Sequence, residues 1–242
     1  MEAAGGRETA ELTIGEVLTE FLAEQQDRLS AKAFARYRQV IRLLTDSLNN
    51  YAYQGLSQRD AELFNRVYNA QGDEHHEFCE IFGPDQIAPN LREFLGYFMV
   101  RKVSAGAEFK RAAGAVTKAL AQWLAQKGYV PEEAAAEGAA AGGRAASDLP
   151  KAETLACRLM EYAERQRPSV ANDQDVLEDH FTIHRVEHGR IWLKAMDGSE
   201  LGPIALPPVL ARQCKVGWEL AGAVSQVHGR WKLLEVWNVY PN

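Results

Sequence analysis

Cysteine is scarce and badly spaced for a covalent framework. Cys79, Cys157 and Cys214 are the only three in 242 residues, an odd number far apart in sequence, so they do not read as a disulfide framework. A reducing cytoplasm is the expected compartment. No apolar run approaches the roughly 20 residues that a membrane helix needs. The first residues, MEAAGGRETAE, lack the basic and apolar regions of a signal peptide. No phosphate-binding loop, dinucleotide fingerprint, Gly-x-Ser-x-Gly elbow or paired metal-carboxylate motif occurs, so no common enzyme class is indicated and no cofactor is expected. The net charge of −6 argues mildly against a nonspecific nucleic-acid coat.

The charge is unevenly distributed. Residues 1–130 carry 15 Lys and Arg against 17 Asp and Glu, 131–178 carry 5 against 10, and 179–242 carry 7 against 6. Most of the acidity therefore lies in the middle segment. Within the first segment the bases gather. Arg28, Lys32, Arg36, Arg38 and Arg42 follow one another with no acid between them. Arg101, Lys102, Lys110, Arg111 and Lys118 oppose Glu108 alone, whereas residues 60–85 are strongly acidic.

What is present first is helix. In LTIGEVLTEFLAEQQDRLSAKAFARYRQVIRLLTDSLNNYAY, Thr13 and Glu16 have the spacing of a capping box, and Ser30 precedes a second periodic run. Val17, Leu18, Phe21 and Leu22 line the first helix, and Phe34, Tyr37, Val40, Ile41, Leu44 and Leu48 line the second. Ser57, Asp73, Asn90 and Ser104 are expected to cap four further helices, the last ending at Gly128. Residues 131–147, PEEAAAEGAAAGGRAAS, hold almost no large apolar side chain and are read as a linker. Asp148 then is expected to cap a connecting helix through Gln166, stopped by Pro168.

The end of the chain changes period. FTIHRV, RIWLKAM, ELAGAVSQV and WKLLEVWNVY are short runs rich in β-branched and aromatic residues, separated by His188-Gly189, Asp197-Gly198 and His228-Gly229. PPVLARQCK is expected to form one helical turn. Four or five strands in about sixty residues predict a small barrel of SH3-like or OB-like type. The predicted class is α+β in two domains: residues 1–11 disordered, a helical bundle over 12–130, a linker over 131–147, a connecting helix over 148–178 and a barrel over 179–242.

The helical part resembles the SAM-like core-binding domain of tyrosine recombinases (phage integrases). There a short helix leads through a Ser-x-x-Thr start into a helix with a Tyr four residues later. Ser30 and Tyr37 fit, and Ala33 stands where the family usually has Thr. Ser104, Arg111, Trp123-Leu124 and Gly128 occupy places comparable to those in that domain's closing half. The resemblance covers about residues 12–131. It implies a fold that grips DNA. It implies no recombinase chemistry, because the chain has no His-x-x-Arg element, and Tyr240, near its end, lies in a strand pattern rather than on a helix.

The expected function is therefore noncatalytic DNA binding, with Arg28, Lys32, Arg36, Lys110, Arg111 and Lys118 contacting phosphates. His188, Arg190, His228 and Arg230, at two hairpin tips before Trp192 and Trp231, form a secondary anion-contact set, unless His and Gly there serve only the turns. His75, His76, Cys79 and Glu80 form the one metal-like cluster, but lack the second ligand pair that a zinc site needs, and no metal is expected. The alternative to DNA binding is a protein-interaction adaptor or homodimer. It would keep the fold and use the helix of residues 148–166 and the barrel to hold a partner.

Overall fold

The computed structural model describes residues 10–166 and 176–241. Nine α-helices and five strands occur among them, in the order α1 Ile14–Gln26, α2 Ala31–Tyr51, α3 Gln58–Tyr68, α4 Phe78–Ile81, α5 Ile87–Glu93, α6 Met99–Arg101, α7 Ala107–Gln126, α8 Glu132–Gln166, β1 Val176–Glu187, β2 Arg190–Lys194, β3 Glu200–Ala205, α9 Pro208–Ala211, β4 Glu219–Val227 and β5 Arg230–Tyr240. A helical N-terminal part thus precedes a five-stranded antiparallel sheet. Most of the expected N-terminal tail and the stop at Pro168 lie outside the described residues. At the tail's end, the Ala10 N–H donates to Ile81 O at 2.9 Å.

Two units divide the chain. The first comprises Met1–Phe98 and Ala112–Ala146, and the second Met99–Arg111 and Ser147–Asn242. The helical domain expected over 12–130 therefore yields residues 99–111 to the second unit and takes the supposed linker instead.

In the first unit the start signals work as the sequence reads. Thr13 and Glu16 close a capping box, and Ser30 and Ser57 each accept a backbone N–H three residues on. Those bonds satisfy amides that a bare helix start would leave unpaired. Phe21 on α1 is fully buried, stacked on Tyr37 of α2 at 6.0 Å and edge-on to Trp123 of α7 at 5.3 Å. Truncating such a ring costs about 3–5 kcal/mol. Ser104 stands ahead of α7, which begins only at Ala107, and two expected caps of this unit fail. Asp73 lies inside a short turn, Gly72–Glu74, and the acidic helix shrinks to α4, with Glu77 and Glu80 making its capping box. Asn90 lies inside α5, where its amide donates to Gln86 O at 2.8 Å.

The Ala/Gly segment is not a linker. Residues 132–147 are the first half of α8. Small residues are read there as an absent core, yet they permit one helix backbone to lie directly on another. A Cβ on Gly114 of α7 would stand 2.2 Å from Ala146 N, and one on Gly142 of α8 would stand 2.6 Å from Lys118 N. Gly138 meets Ala121 and Leu91. These pairs run in opposite directions along the two helices, so α7 and this half of α8 form an antiparallel hairpin. Gly128, at φ +73°, ends α7, and the Tyr129 N–H reaches Leu124 O at 2.9 Å.

The second unit is built on the sheet, in order β3-β2-β1-β4-β5. Phe181, Ile183, Ile191, Leu193, Leu220 and Val224 are buried in one core with Ala152, Leu155, Ala156, Leu159 and Ala163. The second half of α8 therefore covers one sheet face. Asp148 does not cap a helix. Its carboxylate accepts from Lys215 Nζ at 2.8 Å and from Lys151 at 3.4 Å. PPVLA forms the expected turn, α9. Burial pushes the thiol of Cys214 up to about 12. Burial and the charges of Glu77, Glu80 and Asp46 do the same for Cys79, so both are structural rather than reactive.

Lys110 is buried in this unit, and its ammonium is bonded to the Glu153 carboxylate. Breaking such a pair from one side strands a charge, whereas an apolar replacement of that charge is tolerated. Glu153→Ala is expected to cost about 2 kcal/mol in urea denaturation, and Lys110→Met less than about 1 kcal/mol. Equal losses would contradict the burial argument.

Candidate nucleic-acid interface

The turn between α1 and α2 sets the site. Ser30 starts α2, and the apolar period turns Val40, Ile41, Leu44 and Leu48 inward. Lys32, Ala35, Gln39 and Arg42 then follow one another along the outer face, all exposed. Arg36 and Arg38 flank this row on opposite sides, by the 100° turn of each helical residue. Arg38 Cζ lies 5.9 Å from the Phe34 ring centroid. Among the described residues Lys32 and Arg42 form no ion pair. Arg28 stands exposed in the preceding turn. From Lys32 to Arg42 the row spans about 15 Å at 1.5 Å per residue, and no acid interrupts it before Asp46.

The electrostatics are unusual for a helix start. The first turn of a helix favours acids, because its free N–H groups leave it partly positive. The first turn of α2 has no acid and carries Lys32. Base and dipole repel each other and lower stability slightly. Together they raise the positive potential that an approaching anion meets.

Of the six expected phosphate contacts, Arg28, Lys32 and Arg36 belong to this face. Arg38 and Arg42 complete it, and the helical period of the sequence is the signal that finds them. Lys118 is exposed on α7 beside Gly142 and Gly143 of α8. Arg111 is exposed in the second unit. Lys110 is excluded, because it is buried and bonded to Glu153. The sequence shows its charge but not its partner 43 positions away.

The secondary set is not brought together. His188 and Arg190 lie at the β1–β2 tip, and His228 and Arg230 at the β4–β5 tip. β1 and β4 are antiparallel, with Val176 opposite Ser225 and Thr182 opposite Glu219. The two tips therefore stand at opposite ends of the sheet, and no shared anion site forms. Turn geometry accounts for the repeated phrase at its second copy, where His228 has φ 52° and Gly229 φ 73°. Trp218 and Tyr240 are buried, and Trp237 is exposed on the rim.

The metal-like cluster is also dispersed. His75 lies outside α4, and its Nδ1 is 2.6 Å from Tyr68 O, while Cys79 is buried with its N–H on Asn49 Oδ1 at 3.0 Å. Among the described residues no group of three or more His, Cys, Asp or Glu is gathered as a ligand set. Nor is any helix there long and apolar enough to cross a membrane.

One basic residue near the interface is committed elsewhere. Lys127 bridges Glu20 at 2.7 Å and Glu24 at 2.5 Å, closing the end of α7 onto α1. The Tyr129 hydroxyl donates to Glu20, and the Trp123 N–H donates to Glu24 at 2.9 Å. The Lys127 hydrogen bonds, followed by these two, hold both carboxyls below their ordinary value of 4.5. The two glutamates raise Lys127 in turn. A depressed carboxyl stabilises the fold above its unfolded value and loses that contribution as pH falls through the folded one. The stability advantage of the native chain over Lys127→Met is therefore expected to be constant from about pH 5 to pH 9 and to shrink below about pH 4.5. Urea midpoints measured against pH check this. An undiminished advantage at about pH 3 would refute the clasp.

No protein-family model matches this chain, and no curated protein or solved structure matches it either.

Proposed function

We propose that this chain is a noncatalytic DNA-binding protein that contacts the phosphate backbone through the exposed basic face of α2. One observation carries the reading: Lys32, Arg38 and Arg42 are exposed along one face of α2 that holds no acid, with Lys32 in the positively polarised first turn and Arg28 in the turn ahead of the helix. Backbone contacts of this kind position a protein on a duplex without selecting sequence. The resemblance of residues 12–131 to the integrase core-binding domain supports the same reading, while the missing recombinase residues argue against strand transfer. We place the protein in the cytoplasm, where its three free thiols would stay reduced.

The sheet unit is read as a small SH3-like or OB-like barrel. Its two edge strands, β3 and β5, come into contact with each other, as closure requires. The rival reading, an adaptor or homodimer that docks a partner on the helix of residues 148–166, is weakened by the burial of that helix's apolar stripe against the sheet.

The test is duplex binding at low salt. The native chain should bind a fluorescent duplex of arbitrary sequence, and Lys32→Glu/Arg38→Glu/Arg42→Glu should not. Absence of binding by the native chain would end the proposal.

A further inference from the structure

The outer face of β2 carries a second arrangement, built differently from α2. In RIWLK the burial alternates, with Ile191 and Leu193 in the core and Arg190, Trp192 and Lys194 outward. Same-face neighbours on a strand stand roughly 6.6 Å apart, so a base, an aromatic ring and a second base form a short row. Trp192 is held from both sides. Gly202 on β3 has no side chain, and a Cβ there would come within 2.8 Å of the indole, so the ring lies against that strand's backbone. From β1, opposite Trp192 in register, Arg185 places its guanidinium carbon 3.7 Å from the ring centroid. Glu187 steadies Arg185 from 3.7 Å, and Glu200 is engaged by His184 at 3.2 Å. Arg190 and Lys194 form no ion pair among the described residues. Arg185 remains half exposed, 51% of its side chain.

We infer that this face binds single-stranded nucleic acid. An unpaired base stacks on the Arg185 guanidinium, extending the Trp192–Arg185 stack, and the adjoining phosphates meet Arg190 and Lys194. A guanidinium plane serves as a stacking surface for unstacked bases much as an aromatic ring does. A duplex cannot use such a platform, because its bases are already stacked on one another. The site lies wholly in the second unit and stands independently of the α2 reading.

The probe is a fluorescein-labelled oligothymidylate of about twelve nucleotides, long enough to cover one small barrel, titrated with the full chain at low salt. The native chain binds it. Arg185→Ala weakens binding about tenfold, as loss of one stacked base does. Arg185→Lys, which keeps the charge and loses the plane, weakens it nearly as much. Lys32→Glu/Arg38→Glu/Arg42→Glu binds it within about twofold of the native chain, since that platform is untouched. Circular dichroism checks that the Arg185 variants, changed at a half-exposed side chain, remain folded. The inference is overturned if the native chain does not bind the oligonucleotide. It is also overturned if Arg185→Lys binds like the native chain, or if the α2 variant alone abolishes binding.

Discussion

Gly142→Ala is expected to destabilise the protein by about 3 kcal/mol, whereas Gly143→Ala, one residue on, is expected to stabilise it by up to about 1 kcal/mol. Both glycines lie inside α8 and would add one methyl group. At Gly142 the methyl carbon would meet Lys118 N at 2.6 Å and Gly114 O at 2.7 Å. Those are backbone atoms of α7 and cannot swing aside, so the helices must separate. At Gly143 the nearest atom beyond its own stretch of helix is Lys118 Cδ at 4.0 Å, on a flexible side chain. There the only sizeable change is the helix propensity that glycine lacks. Urea denaturation of the two variants decides the matter. Equal effects in either direction would mean that residues 132–146 do not pack on α7 and that the linker reading was sound.

Charge reversal on α2 is the second large effect. Replacing Lys32, Arg38 and Arg42 by Glu exchanges three attractions for three repulsions at the proposed site of contact. Duplex affinity at low salt is expected to fall more than about 100-fold, to the limit of detection. These side chains are exposed, so stability should change by no more than about 0.5 kcal/mol per site. A control triple change at Arg158, Arg165 and Arg212, exposed bases of the second unit, carries the same change in net charge. It should reduce duplex affinity by no more than about threefold. Equal losses in the two variants would point to net charge rather than to the α2 face.

Much of the fold is legible in the sequence because local rules and tertiary packing agree there. The caps at Thr13, Ser30 and Ser57, the stop at Gly128 and the hairpin turns of the sheet each follow from one or two residues acting on adjacent backbone. The Ala/Gly segment is illegible for a physical reason. Composition reports how much apolar surface a segment can bury, and α8 here gains its contacts through backbone proximity instead. Asp148 reads as a cap because Asp is favoured at helix starts and an apolar period follows it. In the structure it lies inside α8.

The candidate site divides in the same way. The basic face of α2 follows from helical period alone, and Arg38 and Arg42 belong to it by the same rule as Lys32. Lys110 also has the right charge and period, but its fate depends on Glu153, and no local pattern reveals such a partner. The two His-Gly-Arg phrases look like one paired site until strand order and register send them to opposite ends of the sheet. Conversely, the stack of Arg185 on Trp192 comes from residues seven apart whose meeting is set by a bulge between Ile183 and Arg185.

The most direct test of the central claim is the salt dependence of duplex affinity for the native chain and the α2 triple variant. With a duplex of about twenty base pairs, the logarithm of the association constant should fall linearly with the logarithm of salt concentration. The slope should be about −3 to −4 for the native chain, matching three or four neutralised phosphates. The triple variant should show no measurable binding at any salt. Native binding with a slope near zero, or a triple variant that binds as the native chain does, would contradict the assignment of α2 as the DNA-contacting face.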